Sequence, residues 1–467
     1  MEDKIPNYSP QLEFFEFPPE EADPRVRKMR EKWLSKRAAS DKSKADYGTF
    51  KDSLRVPIHR WFKYPAGYSY RLVEEKIKQY KLNHQHWILD PFVGCGTTSV
   101  EAKKFGINSI GIEAHPFVHW VARTKTNWDL DLNQLAAHYQ RVVASARTMI
   151  QKTDPSELPD LVHKCYSPQN LISLVAIRNA IKENVNEMDA IRDFLNLALT
   201  DTLRNSSKAA TGWPYIAPNK IHEKAVEKEA FAEFDAQFRR MFNDVKFMQQ
   251  HYSRQETQCI LLLGDAREAH SQIQNESIDL ALTSPPYLNN YDYADRTRLE
   301  TYFFGWYKSW GEISKQVRDQ LITSATTQIQ RGKFRENNGL STMIKELDAA
   351  LYNELVEKVS ALSGRRKHKG GKKSYDCLVA GYFSDMARVL QQVFRALKPG
   401  LDFVLVLGDS APYGIYIPTH EYLARIGLAL GFSSWQVEEL RTRGDKWREN
   451  PQRHKVKLKE VILTLTK

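Results

Sequence analysis

The sequence predicts an α/β protein: an open sheet with crossover helices, interrupted by a helical insertion and a basic loop insertion. Three observations carry this. Short apolar runs alternate with helical patterns over residues 57–125, 256–306 and 376–467, the order a sheet with crossover helices requires. Two of those runs end abruptly, one in a glycine turn after Asp90 and one in the proline pair Pro285-Pro286. The intervening blocks 126–255 and 307–375 break the alternation and contain no internal repeat, so they read as insertions into one domain.

Composition sets the outer limits. A chain of 467 residues is too long for one ordinary core, and implies one large domain with insertions or two to three modules. With 42% hydrophobic and 11% aromatic residues there is material for a sizeable core. The formal net charge of +11 points to a polyanionic partner. On charge alone, a merely basic protein fits equally well, and the motifs decide. Cys95, Cys165, Cys259 and Cys377 are scattered, with no CxxC pair. This excludes a disulfide framework or structural zinc as the expectation and fits a reducing, cytoplasmic setting. The polar start is unlike a signal peptide, and no apolar run approaches the roughly 20 residues of a membrane span. His84 and His86 read as turn residues rather than ligands, so no metal is expected.

Taken in order, residues 1–56 are polar, with a basic stretch from Arg25 to Lys44, and read as a mobile arm or short helical lead-in. Residues 57–125 hold a strand ending at Asp90, a helix from Thr97 through about Phe105, and a strand Ser109 to Ile112 ending in Glu113. Residues 126–255 are mostly helical, as in Leu132 to Ile150 and Leu171 to Leu203, and are a candidate for target recognition. Residues 256–306 return to strands, Ile260 to Leu263 and Ile278 to Leu282. Residues 307–375 are charged and end in a Gly- and Lys-rich tract, 363–373, expected as a flexible loop. Residues 376–467 read as a helix to Leu397, a Lys398-Pro399-Gly400 turn, a strand Phe403 to Leu407, a helix Glu421 to Leu430, and two late strands.

The first chemical signal is Asp90-Pro91-Phe92-Val93-Gly94-Cys95-Gly96-Thr97-Thr98. Gly94 and Gly96 permit a tight turn and close approach of a ligand to the backbone. The helix that starts at Thr97 and Thr98 offers free N–H groups to an anionic group. Glu113 follows at the ~20-residue distance of a ribose-binding carboxylate. A dinucleotide is disfavoured, because G-x-G-x-x-G is incomplete and Asp90 would repel a pyrophosphate. Asp90 would welcome an ammonium group, which points to S-adenosylmethionine. Asp265, after the strand Ile260 to Leu263, could accept from the adenine amino group, although Gly-Asp after a strand is often only a turn.

The second signal is Ser284-Pro285-Pro286-Tyr287. Neither proline can donate to a sheet ladder. The carbonyls of Ser284 and Pro285 are left as acceptors at the strand end, beside the flat face of Tyr287. Rigid acceptors next to an aromatic plate suit a planar base with an exocyclic amino group.

Together these residues resemble the amino-methyltransferases of DNA, over about 57–125, 256–306 and 376–467. The resemblance implies a Rossmann-like S-adenosylmethionine-dependent methyltransferase sheet. Asp90 to Thr98 is similar to the family's cofactor motif and Ser284 to Tyr287 to its catalytic motif, in the variant usual for methylation of the 4-amino group of cytosine. The adenine enzymes more often carry Asp or Asn at the position of Ser284. Trp61 to Ser69 resembles the segment that wraps the methionine end, which implicates Tyr68 and Ser69. Double-stranded DNA is then the substrate and a cognate restriction endonuclease the implied partner class. Location would be the prokaryotic cytoplasm, at the nucleoid when bound to DNA. The motif order departs from the commonest cytosine-enzyme order and looks like a circular permutation with no separate recognition domain.

Chemistry at an amino group inside a duplex requires the base to be flipped out. Tyr287 would stack on it, while Ser284 and the Pro285 carbonyl accept the amino protons and localise the nitrogen lone pair for in-line attack on a sulfonium methyl. Arg296 and Arg298 follow the motif and could contact the flipped strand, or simply enter a helix. Arg365, Arg366, Lys367, Lys369, Lys372 and Lys373 could contact phosphate. The competing readings are methylation of the 6-amino group of adenine, an RNA methyltransferase, and a non-catalytic DNA-binding subunit.

Overall fold

The structure, a computed structural model, describes residues 44–64, 67–210, 216–221, 227–252, 257–329, 339–368, 373–443 and 457–467. Residues 45–467 form one compact unit.

Helix α1, Tyr70–Gln79, leads into strand β1, Trp87–Asp90, helix α2, Thr97–Lys104, strand β2, Asn108–Glu113, and helix α3, Pro116–Thr126. The helical block follows as α4, Leu132–Met149, α5, Asp160–Cys165, α6, Pro168–Asn184, α7, Ala190–Asn205, and α8, Ala230–His251. A two-stranded pair, β3, Ala209–Ala210, and β4, Ala217–Ile221, lies between α7 and α8. Strands β5, Cys259–Leu263, and β6, Leu280–Thr283, return the chain to the sheet. Five helices come next: α9, Tyr293–Arg296, α10, Arg298–Phe303, α11, Trp310–Gln316, α12, Thr342–Leu347, and α13, Ala349–His368. The chain closes with helix α14, Tyr375–Ala396, β7, Asp402–Gly408, helix α15, Thr419–Leu430, β8, Ser434–Arg443, and β9, Leu458–Thr466.

The main sheet has seven strands in the order β5-β2-β1-β6-β7-β9-β8. From β5 to β7 every neighbouring pair is parallel, while β9 runs antiparallel to both β7 and β8. Parallel pairing puts the carboxyl ends of β1, β2, β5, β6 and β7 on one edge. Asp90, Glu113, Leu263, Thr283 and Gly408 therefore share that edge, where ligands bind in open α/β sheets.

Both sheet faces are covered, which is why the strands read as continuous apolar runs. Side chains alternate between faces along each strand. Ile88, Leu280, Leu282, Val404 and Val406 pack with α1 through Leu72, Val73 and Ile77. Leu89, Ala281, Phe403, Leu405 and Leu407 pack on the other face with α13, α14 and α15. The helical block is anchored to the segment before α1 by Asp244 on α8. Its carboxylate accepts from the Ile58 N–H at 3.2 Å and from the Arg60 Nε and Trp61 Nε1 groups at 3.0 Å each.

Two expectations are corrected. Part of the supposed N-terminal arm is packed, since Tyr47, Phe50 and Val56 are buried; residues 1–43 lie outside the described ones. The supposed flexible tract is helical as far as His368, at the end of α13. Leu351, Leu355, Val359 and Leu362 form a buried stripe at helical spacing, and this stripe holds the helix on the core and carries its basic end with it.

Candidate active site at the carboxyl edge of the sheet

A cavity opens at the carboxyl edge and is lined by residues of both sequence motifs. The β1–α2 turn supplies Pro91, Phe92, Gly94 and Thr97. Gly94 and Gly96 have φ of 53° and 89°, a region in which a side chain would be strained. At Gly96 a Cβ would meet the Ala122 backbone on α3 at 3.4 Å, an ordinary contact, so it is the backbone conformation that calls for glycine there.

Asp90 is the hub of this turn. Its carboxylate accepts from the Thr283 hydroxyl at 2.6 Å, the Phe92 N–H at 3.0 Å, the Tyr68 hydroxyl at 3.4 Å and the Thr98 hydroxyl. Burial pushes its pKa up to about 6 against these four donors. Asp90 is not among the residues lining the cavity, whereas Tyr68 is. An ammonium group that reached Asp90 would have to share or displace one of those hydroxyls. Ser69 is also spent locally: its hydroxyl caps α1 by accepting from the Arg71 N–H at 3.3 Å.

Glu113 lines the cavity and accepts from the Gly94 N–H at 3.1 Å and the His115 N–H at 2.8 Å. Burial raises its pKa to about 7, with the nearby Asp90 adding to the rise. His115, unforeseen in the sequence, lines the same wall. Its Nε2 pairs with the Thr297 hydroxyl at 2.7 Å, its Nδ1 is buried with no hydrogen-bond partner among the described residues, and burial lowers its pKa to about 3. A buried neutral imidazole with one unpaired nitrogen suits a polar ligand group.

On the opposite wall, Ser284 and Pro286 face the cavity from the end of β6. The Ser284 hydroxyl donates to the Val406 carbonyl at 3.3 Å, which commits its proton and leaves the oxygen as an acceptor. Tyr287 is 9% exposed. Its hydroxyl donates at 3.1 Å to Glu460 on β9, a carboxylate that also accepts from Arg441 Nε at 2.6 Å. Burial, with Glu460 adding to it, holds the phenol proton on well above its ordinary range. The Arg443 guanidinium lies 5.0 Å over the Tyr287 ring.

The charged segment after α11 completes the enclosure. Gln320, Leu321 and Ile322 line the cavity beside Asp265. The Asp265 carboxylate is held by Arg267 at 2.6–2.9 Å, and Arg267 also reaches Asp385 at 2.8 Å. Its side chain is therefore already engaged where an adenine amino group was expected. The same segment ties down the loop after Tyr287: the Asn290 N–H donates to the Ser324 carbonyl at 3.0 Å, and Arg318 pairs with Asp292 at 2.7 Å.

The candidate DNA contacts divide. Arg296 is corrected: it is buried, pairs with Glu300 at 3.1 Å, and donates to the Lys63 carbonyl at 2.6 Å. It holds the loop and faces no solvent. Arg298 pairs with Asp295 at 3.0 Å and lies over Trp310. Arg366 is within 3.6 Å of Asp376, and Arg365 donates to the Tyr413 carbonyl. Lys367 and Lys373 are exposed, while Lys369 and Lys372 lie outside the described residues. Among the described residues no group of three or more His, Cys, Asp or Glu could hold a metal, and no helix is long and apolar enough to cross a membrane.

Residues 6–123 match the N6/N4 methyltransferase family model, whose description is "DNA methylase". The chain is 25% identical over 414 residues to the type II methyltransferase M.BsoBI of Geobacillus stearothermophilus, an alignment covering 83% of this chain and 81% of that enzyme. It is 24% identical over 410 residues to the type II methyltransferase M.AvaI of Nostoc sp., covering 84% and 83%. It is 22% identical over 415 residues to the type II methyltransferase M.MvaI of Kocuria varians, covering 84% and 85%.

Proposed function

We propose that this chain, which matches the N6/N4 DNA methylase family model over residues 6–123 and resembles type II methyltransferases over most of its length, transfers a methyl group to the exocyclic 4-amino group of a cytosine flipped out of double-stranded DNA. The type II relatives support placing it as the modification enzyme of a restriction-modification system, opposite a cognate restriction endonuclease. One observation carries the reading. Ser284 and Pro286 line the same cavity as Gly94 and Glu113, so the acceptor motif and the glycine wall face one space.

The donor set fits S-adenosylmethionine. Two buried carboxyls, Asp90 and Glu113, favour a cation with hydroxyl groups, the glycines allow close backbone approach, and the unpaired His115 Nδ1 offers a further polar contact. That cofactor, when bound, supplies the methyl group on a sulfonium. Asp90 and the glycine loop would hold its methionine end, and Glu113 its ribose. Tyr68, which lines the cavity and donates to Asp90, would support the methionine end as well.

On the target side, Tyr287 holds the base by stacking, worth ~1–3 kcal/mol. This offsets a few kcal/mol of lost pairing and stacking in the duplex. The Ser284 oxygen and the Pro285 carbonyl accept the two amino protons. This draws the nitrogen towards a tetrahedral shape, and the methylated nitrogen is acidic enough to lose its proton without a dedicated base. Ser284, in place of an Asp or Asn, favours cytosine over adenine. Base-resolved sequencing of DNA from cells that express the protein tests this. The expected result is 4-methylcytosine at one short recognition sequence. Only 6-methyladenine would replace the base assignment, and no new modified base would overturn the DNA reading.

A further inference from the structure

The ring of Tyr287 already has a partner, and that partner has the shape of a base. The Arg443 guanidinium, planar and cationic, sits 5.0 Å from the ring centroid. Gly408, at the carboxyl end of β7, makes the approach possible. A Cβ there would come to 2.0 Å from Arg443 Nη1. Gly408 is not among the residues with positive φ, so its backbone does not demand glycine. Its missing side chain is space that the guanidinium occupies. The ring is held from the far end, since the Tyr287 hydroxyl donates to Glu460, itself braced by Arg441. Arg443 is the last residue of β8, which is the edge strand of the sheet, paired on one side by β9. A half-buried side chain at the end of an edge strand moves at little cost to the core.

We propose that Arg443 is the exchange partner of the target base. In the DNA-free protein its guanidinium occupies the face of Tyr287 that the flipped base takes. As the base enters, the guanidinium swings out onto a phosphate of the same strand. The exchange rests on the methyltransferase reading above. Its logic is physical: the slot never stands empty against water, one stacking contact replaces another, and the displaced cation meets an anion. Arg443 thereby links capture of the base to a backbone contact.

The test uses the target site read from the sequenced DNA. A duplex carrying a fluorescent cytosine analogue at the target position is titrated, with saturating S-adenosylhomocysteine, against wild type, Arg443→Ala and Gly408→Ala over a range of salt. Arg443→Ala removes both the competitor and the phosphate ligand. The flipped fraction at high salt should rise about two- to fivefold, the ratio that corresponds to an exposed cation–π contact, and the salt slope of affinity should fall by about one. Gly408→Ala pushes the guanidinium off the ring but keeps its charge, so the flipped fraction should rise with the slope unchanged. An unchanged flipped fraction and slope in Arg443→Ala would overturn the exchange while the methylation reading stood. So would loss of flipping at an unchanged slope, which would make Arg443 a brace for the ring. Failure of the wild-type protein to methylate DNA would instead overturn the reading on which the exchange rests.

Discussion

The two sequence motifs beside the cavity are built in opposite ways. At the first motif, Asp90 is 1% exposed and filled by four donors, and Glu113 is clamped by two backbone N–H groups. At the second motif, Tyr287 is fixed at its hydroxyl by Glu460 and its ring carries Arg443, a side chain from the sheet edge. The first motif is organised around buried charge, and the second around a fixed aromatic plate that carries a cation. The difference matches the two tasks. Under the proposed function, a small charged cofactor is best met by groups already in place, whereas a flipped base would enter a slot that Arg443 fills beforehand.

The largest effect that could break this contrast is at Asp90. Asp90→Ala should abolish cofactor binding, lowering affinity for S-adenosylhomocysteine by at least ~100-fold in calorimetry, and should cost ~1–3 kcal/mol of stability by orphaning buried hydroxyls. Unchanged affinity would refute the ammonium assignment. Next is Tyr287→Ala. Turnover should fall roughly 5- to 150-fold, the loss of ~1–3 kcal/mol of stacking, with cofactor affinity retained. Full activity would remove the stacking role. Smaller again is Glu460→Ala, which frees the Tyr287 hydroxyl. A lost buried hydrogen bond of ~1 kcal/mol corresponds to about fivefold in turnover, measured beside an unchanged cofactor affinity.

The carboxyls of the cofactor wall also make a pH prediction. Burial raises Asp90 to about 6 and Glu113 to about 7, so the folded protein holds more protons than the unfolded chain between the ordinary carboxyl range and these values. Stability without ligand is therefore fully present at low pH and is lost as pH rises through about 6 to 7. A cationic ligand favours the ionised forms, so cofactor affinity should climb through the same window, with release of protons. Calorimetry in buffers of different ionisation enthalpy reads that release, and a flat affinity profile would count against both carboxyls. The smallest effect belongs to the exposed lysines. Lys367→Ala and Lys373→Ala should each reduce the salt slope of DNA binding by about one. An unchanged slope would make them solvated surface charges.

The residues proposed to hold the cofactor are legible in the sequence because their chemistry is local. Asp90, Gly94, Gly96, Thr98 and Glu113 fall within two strands and the helix between them, and the apolar runs locate those strands. The target wall is local only from Ser284 to Tyr287. Glu460 lies 173 residues from Tyr287 and reaches it because β9 inserts antiparallel between β7 and β8. No spacing rule reveals such a pairing. Arg443 and the segment Gln320 to Ile322 arrive through topology in the same way. His115 had a faint signal, as the second residue past the acidic strand tip. The helix at 349–368 is legible in the stripe Leu351, Leu355, Val359 and Leu362, while the basic run Arg365 to Lys367 masks its last turn. Arg296 sits in the motif loop, a position that fits DNA contact, but Glu300 four residues on makes it one half of a buried pair.

Under the proposed function, Ser284 and the Pro285 carbonyl take the amino group of a cytosine. The most direct measurement is nucleoside mass spectrometry of DNA incubated with the purified protein and isotopically labelled S-adenosylmethionine, with Tyr287→Ala in parallel. The account predicts labelled 4-methylcytosine with the wild-type protein and a large loss of it in the variant. Label found only in 6-methyladenine, or in no base of DNA, would contradict it.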